Sequence, residues 1–154
     1  MPYSSRVMLT AKGKYGLKAM VHLAEAEQAV LVPVGEIAAE NDIPRKFLDT
    51  ILSDLRHAGM VRSRKGPSGG YALARPADSI TLGDIVRALD GPLAPIGCAS
   101  RTRYHPCEDC ADVATCPVRL IMSQVRDAMS DVLDRCSLLA LSTMAAGKRD
   151  ALVS

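Results

Sequence analysis

Apolar positions along the chain recur mostly at three- and four-residue steps. They give way to short extended segments only around residues 60–75, which predicts a mainly α protein with one small β element. From Ala11 to about Glu27, Tyr15, Ala19, Met20 and Leu23 share a helical face, with Thr10 placed to cap the start. After a break at Ala29–Pro33, the pattern gives a small helix, Val34–Glu40, and a turn at Asn41-Asp42-Ile43. A further helix begins at Pro44, whose missing N–H costs nothing at a first helical position. In it Phe47, Leu48, Ile51, Leu52 and Leu55 form one stripe, and Gly59 is placed to end it.

Met60–Lys65 and Tyr71–Arg75 read as two strands around a Gly66-Pro67-Ser68-Gly69-Gly70 tip. Thr81 and Asp84 open another helix, carrying Leu82, Ile85, Val86 and Leu89 and stopped by Gly91-Pro92. Helix–turn–helix followed by a hairpin is the order of a winged helix. Residues 92–115 have no apolar period. From Pro117, Val118, Ile121, Met122, Val125, Met129, Val132, Leu133, Cys136 and Leu139 keep a three–four spacing for about six turns. That stripe exceeds what one small domain covers, so a long C-terminal helix packed against its copy in a homodimer is expected. The chain thus divides into a winged helix-turn-helix domain (7–91), a cysteine-containing loop (92–116), a dimerisation helix (117–145) and a loose tail (146–154).

Composition narrows the function. At 154 residues, 48% apolar and 23% charged, the chain is ordinary globular material with room for one domain and an appendage. The longest apolar run, Ala29 to Val34, contains Pro33, so no membrane span is expected. The N-terminus lacks the apolar core of a signal peptide, which predicts a cytoplasmic protein. One Phe, four Tyr and no Trp argue against stacking platforms for single strands and against an aromatic sugar site. Net charge is only +2, yet Arg45 to Arg75 holds seven basic residues against Asp49 and Asp54, a local +5. A concentrated basic segment on a mildly acidic body points to a polyanion, double-stranded DNA above all, rather than to a small-molecule substrate.

The second helix of a helix–turn–helix enters the major groove and needs polar side chains on its outward face. Arg45, Lys46, Asp49, Thr50 and Arg56 occupy that face: Arg and Lys suit guanine, Thr a thymine methyl, Asp a cytosine amino group. Arg62, Arg64 and Lys65 on the wing suit phosphates or the minor groove, while Ser68, Gly69 and Gly70 at its tip allow close backbone approach. Lys12, in a lysine cluster opening the first helix, joins the candidate contacts. The glycine-rich tip lacks the GK[ST] ending of a phosphate loop and precedes a strand, so it does not predict nucleotide binding.

The loop carries Cys98-x8-Cys107-x2-Cys110-x5-Cys116. In a cytosolic chain such clustering indicates metal or redox chemistry before disulfides. Four thiolates can hold an iron–sulfur cluster, [2Fe–2S] or [4Fe–4S], or a tetrahedral zinc ion; a metal-free thiol switch is the third reading. Arg101, Arg103 and Arg119 could offset the charge of a thiolate-bound cluster, and His105 is a reserve ligand. Cys136 falls on the apolar stripe and reads as a small buried hydrophobe. His22, His57 and His105 are scattered, without a catalytic context. A thiol-disulfide oxidoreductase would want Cys-x-x-Cys after a strand and at a helix start, not mid-loop. No enzyme is expected.

Leu9-Thr10-Ala11-Lys12-Gly13-Lys14-Tyr15, the segment Ile43–Met60, Arg64-Lys65-Gly66-Pro67-Ser68-Gly69-Gly70-Tyr71 and the cysteine loop before a long helix together resemble the IscR/NsrR/RirA family of bacterial winged-helix transcription regulators, over roughly residues 7–142. The resemblance implies a homodimer, a palindromic operator, and control by an iron–sulfur cluster or by redox, nitric oxide or cysteine status. In members with three evenly spaced loop cysteines, Cys98, Cys110 and Cys116 take the ligand positions, although 11 residues separate the first two here and Cys107 is additional. Arg119 and Lys14 stand where relatives place a histidine or an acid as fourth ligand, which leaves Cys107 as the simplest replacement.

Overall fold

The amphipathic stretches fold where their periodicity puts them, apart from the last. The computed structural model describes residues 9–27, 29–108 and 112–153. The chain runs α1 (Ala11–Glu25), α2 (Val34–Asn41), α3 (Arg45–His57), strands β1 (Val61–Arg64) and β2 (Gly70–Leu73), α4 (Leu82–Asp90), α5 (Pro117–Asp134) and α6 (Leu138–Val153). Short 3-10 turns stand at Ala77–Ser79 and Gly97–Ala99. Positions 7 and 8, at the predicted start of the DNA-binding domain, and Cys110 lie outside the described residues.

Helices α1 to α4 close on one core in which Met20, Ile37, Leu48, Ile51, Leu52, Leu55 and Ile85 are fully buried. Thr10 caps α1 as expected, its hydroxyl accepting from the Gly13 N–H, and its own N–H donates to Asp90 at the end of α4 at 2.9 Å. A Cβ at Gly16 would fall 2.0 Å from Leu89 Cδ1, so this glycine sets how closely α1 approaches α4. Tyr15 and Phe47 meet edge to face at 5.5 Å between α1 and α3. Asp42 adopts the left-handed conformation that turns α2 into α3, and Pro44 is the N-cap of α3, one residue earlier than its predicted place inside the helix.

The hairpin forms around the expected glycine-rich tip, with Val61 opposite Leu73 and Arg64 opposite Gly70. Val32 adds a bridge, exchanging backbone hydrogen bonds with Tyr71 at 2.8 and 2.9 Å, so the wing is fastened to the chain that enters α2. This gives Gly69 and Gly70 a structural role inside the wing itself. A Cβ at Gly69 would sit 2.1 Å from the Arg64 carbonyl oxygen, and one at Gly70 2.3 Å from that of Val32. The glycines admit the hairpin's own backbone and that of Val32.

The predicted single C-terminal helix is two. α5 stops at Asp134, and the next residues pair with residues 80–82: the Leu82 N–H donates to the Cys136 carbonyl at 3.0 Å and the Leu138 N–H to that of Ile80 at 2.8 Å. The Ser137 hydroxyl then accepts from the Ala140 N–H and caps α6, whose first residue, Leu138, is fully buried. A straight helix would carry Leu138 out of the core. The predicted loose tail is instead helical through residue 153, with Arg149 ion-paired to Glu25 of α1. Cys136 is half-buried against the core as expected, but in the break between helices rather than on a helical stripe.

Candidate nucleic-acid interface and cysteine loop

Burial of Leu48, Ile51, Leu52 and Leu55 fixes the roll of α3 and leaves Arg45, Lys46, Asp49, Thr50 and Arg56 exposed on its outer face. On the wing Arg62, Arg64, Lys65 and Ser68 are exposed as well. The two elements meet across a groove of about 510 Å³ that opens between the start of α2, α3 and the hairpin, lined by Arg45, Arg56, Arg64, Lys65 and Gly70 among others. Residues far apart in sequence thereby present four cations to one concave surface. Such a groove attracts the phosphate backbone of a polyanion. Lys12 is placed differently: its ammonium pairs with Asp54 inside the α1–α3 contact, so it steadies the recognition helix and neutralises one of the two acids there.

Polar contacts hold the described part of the cysteine loop around Gly97–Ala99. Cys98 sits in the Gly97–Ala99 turn with only 4% of its surface exposed, and Leu93, Ala99 and Ser100 are buried beside it. Cys107 is exposed, with its Sγ 3.8 Å from Cys98 Sγ. The His105 N–H donates to the Gly97 carbonyl at 3.1 Å and folds the intervening chain back over the turn. Cys116, half-buried, is the N-cap of α5 and its carbonyl accepts from Leu120. Two soft donors in contact beside a buried turn fit a thiophilic metal ion or an iron–sulfur group. Cys110 is the fourth thiol of the sequence pattern and lies outside the described residues.

Two of the nearby arginines work on the protein rather than on a ligand. Arg119 Nε donates to the Cys98 carbonyl at 3.0 Å, and Arg126 Nη1 donates to the Ala99 carbonyl at 2.6 Å. These side chains, two turns apart on α5, clamp the turn that bears the buried thiol. Arg101 and Arg126 both pair with Asp127, and hydrogen bonding from Arg126 holds that carboxyl below the usual carboxylate range. Farther along α5, Asp134 receives both Arg87 amino groups at 2.7 Å, which lowers its pKa and ties α5 to α4. Sequence spacing gave no sign of these pairs.

His22 departs from the reading of isolated histidines. It lies between the Glu36 and Glu40 carboxylates at 3.9 and 3.8 Å, and Asn41 Nδ2 approaches its Nδ1 at 3.1 Å while also bonding the Ile37 carbonyl. The i,i+4 spacing of Glu36 and Glu40 was the available signal; that α1 presents His22 to them was not.

The fold and the basic groove define a winged-helix DNA-binding transcriptional regulator. Residues 9–143 match the model of the Rrf2 family, described as iron-dependent transcriptional regulators, and the chain belongs to that family. An rrf2-like helix-turn-helix regulator of Rhodobacter capsulatus is 42% identical over 121 residues, 77% of this chain and 81% of the relative. The regulator CymR of Bacillus subtilis is 34% identical over 143 residues, 93% of this chain and 95% of CymR. A solved structure of CymR, described as the global cysteine regulator of B. subtilis, superposes with a TM-score of 0.73 at 34% identity, covering 90% of this chain and 98% of that one. The structure of T. potens IscR gives 0.69 at 27% identity, with 92% and 90% covered. These relatives are transcriptional regulators, not enzymes. No helix among the described residues is long and apolar enough to cross a membrane.

Proposed function

We propose that the protein acts in the cytoplasm as a homodimer that binds a palindromic operator, and that a thiolate-held metal centre in the 92–116 loop governs this binding. The observation that carries the DNA reading is the convergence of Arg45 and Arg56 from α3 with Arg64 and Lys65 from the wing on one groove. In this reading Arg45, Lys46, Asp49, Thr50 and Arg56 meet base edges and flanking phosphates, and Arg62, Arg64, Lys65 and Ser68 hold backbone or minor groove. Lys12 positions α3 through Asp54. Dimerisation is supported by α5, none of whose residues is buried: Val118, Ile121, Val125 and Val132 form an exposed apolar face.

The metal centre is proposed as an iron–sulfur cluster held by Cys98, Cys107, Cys110 and Cys116, with zinc as the alternative occupant. The contact of Cys98 with Cys107, the family's iron dependence and the likeness to IscR support it. Anaerobic reconstitution with iron and sulfide, followed by gel shifts on duplexes selected from a random library, tests both halves. A coloured, iron-bearing dimer that selects a dyad-symmetric duplex supports the reading. A protein that takes up neither iron nor zinc refutes the sensing half, and one that selects no duplex refutes the DNA half.

A further inference from the structure

We propose that Gly83, Arg87 and Asp134 form the joint that sets the separation of the two recognition helices in the dimer, and that Gly83 is thereby a specificity-determining position for operator spacing. This inference rests on the proposed homodimer and adds what fixes its half-site spacing. Gly83 is buried on α4 and is not part of the basic groove. Two fasteners hold the end of α5 to α4. The first is backbone: the Leu82 N–H donates to the Cys136 carbonyl at 3.0 Å and the Leu138 N–H to that of Ile80 at 2.8 Å. The second is a side-chain fork, both Arg87 amino groups donating to the Asp134 carboxylate at 2.7 Å. A short backbone bridge alone leaves a pivot, and a bidentate pair beside it stops the rotation. Gly83 makes room for that stop, because a Cβ there would overlap Asp134 Oδ1 and stand 2.9 Å from Arg87 Nη1.

Both sides of the joint are firmly built. α4 is seated on α1 by the close approach of Leu89 to Gly16 and by Asp90, which accepts from the Thr10 N–H at 2.9 Å. α1 in turn is fastened to α3 through Tyr15 with Phe47 and Lys12 with Asp54. The recognition helix therefore turns with α4. On the other side, Val118, Ile121, Val125 and Val132 of α5 carry the proposed dimer seam, and Arg119 and Arg126 clamp the Gly97–Ala99 turn to the same helix. α5 has 18 residues, which at about 1.5 Å each makes it ~27 Å long. A rotation of about 10° at its Asp134 end moves its first residue by roughly 5 Å, more than the rise of one base pair, about 3.4 Å. Slight slack in the joint thus costs register with the operator. Arg87 and Asp134 are both partly exposed, so their pair adds little stability, and its contribution is to orientation.

The test uses the full chain and duplexes that carry two copies of the half-site selected by the wild type from a random library. The spacer is lengthened or shortened one base pair at a time, and a duplex with a single half-site is the control. Anisotropy at fixed salt gives the affinities. The wild type should prefer one spacer and lose about tenfold or more when a base pair is added or removed. In Gly83→Ala the methyl displaces the Asp134 carboxylate, the end of a flexible side chain, while alanine itself favours the helix, so the variant should fold. Its penalty for a changed spacer should drop to about threefold or less, or its preferred spacer should shift, while affinity for the single half-site stays within about twofold of wild type. Asp134→Asn removes the same pair from the other side and should alter the spacer profile alike, which keeps the test decisive if Gly83→Ala misfolds. Wild-type spacer profiles in both variants, with the dimers intact by sedimentation, overturn the joint and leave the dimeric reading standing. A monomeric wild type, or one that binds a single half-site as tightly as two, overturns the dimeric reading and the joint with it.

Discussion

Arg126 of α5 reaches the carbonyl of Ala99, its Nη1 donating at 2.6 Å, and in doing so joins the helix that presents the apolar face to the turn that carries the buried cysteine. Only 14% of the Arg126 side chain is exposed, so this is a charge-assisted hydrogen bond in a sheltered setting. With Arg119, which bonds the Cys98 carbonyl, Arg126 ties the Cys98 turn to α5. Arg126→Met should bring the operator affinities of metal-loaded and metal-free protein toward equality. The metal-free affinity itself should stay within about twofold of wild type, and titrations by anisotropy measure both. An unchanged ratio of affinities would show that the clamp transmits nothing.

The recognition helix and the wing should fail in different ways. Arg45→Ala or Thr50→Ala is expected to lower discrimination between selected and random duplexes by about 1–3 kcal/mol per lost base contact. Arg64→Ala or Lys65→Ala should weaken binding to every duplex and reduce the slope of log affinity against log salt by about one per phosphate contact. Titrations at several salt concentrations separate the two effects.

The apolar face of α5 divides the notional stripe in two. Leu133 packs against the core of its own domain, whereas Ile121 and Val125 face outward. Ile121→Asp should therefore leave helicity intact and give a monomer by sedimentation at micromolar concentration, because a charge in an apolar seam costs several kcal/mol, about 3 or more, if it cannot be hydrated. Leu133→Asp should instead lower the melting temperature. A wild-type monomer at the same concentration contradicts the dimer.

How much of this could be read from the sequence depends on the range of the forces involved. The roll of α3 was legible because Leu48, Ile51, Leu52 and Leu55 repeat at helical spacing, and that repeat alone decides which side chains face out. The break before α6 was not, because Leu138 and Leu139 continue the apolar spacing of α5 and mask the cap at Ser137. What ends the helix is backbone pairing with residues 80–82, more than fifty positions away. The cysteine spacing announced chemistry, while the turn that bears Cys98 is held by Arg119, Arg126 and His105, whose partners no local pattern indicates.

Wing geometry makes its own prediction. Gly70 has φ of 153°, and a Cβ there would meet the Val32 carbonyl oxygen, a backbone atom that cannot move aside without losing the bridge to Tyr71. Gly70→Ala should destabilise the fold by about 1–3 kcal/mol and weaken DNA binding through a displaced wing. Chemical denaturation measures the first effect. A variant as stable as wild type would show that the bridge is dispensable.

The pair between Arg87 and Asp134 gives a pH signature. Hydrogen bonding from Arg87 lowers the Asp134 pKa in the folded state, so the stabilisation is present above the ordinary carboxylate range and is lost as pH falls through the lowered folded value. Asp134→Asn should therefore melt below wild type at neutral pH, with the gap closing in acid. A gap that persists through the acid range would mean that the bidentate pair is not its source.

Whether the proposed thiolate centre governs DNA occupancy by this regulator is decided by one paired titration. A fluorescent duplex selected by the wild-type protein from a random library is titrated, anaerobically and at fixed salt, with metal-loaded protein and with the same preparation stripped by a chelator. Affinities should differ by about tenfold or more between the two states, with the difference lost in Cys98→Ser. Equal affinities in the loaded and stripped states, with both forms folded and dimeric, would contradict it.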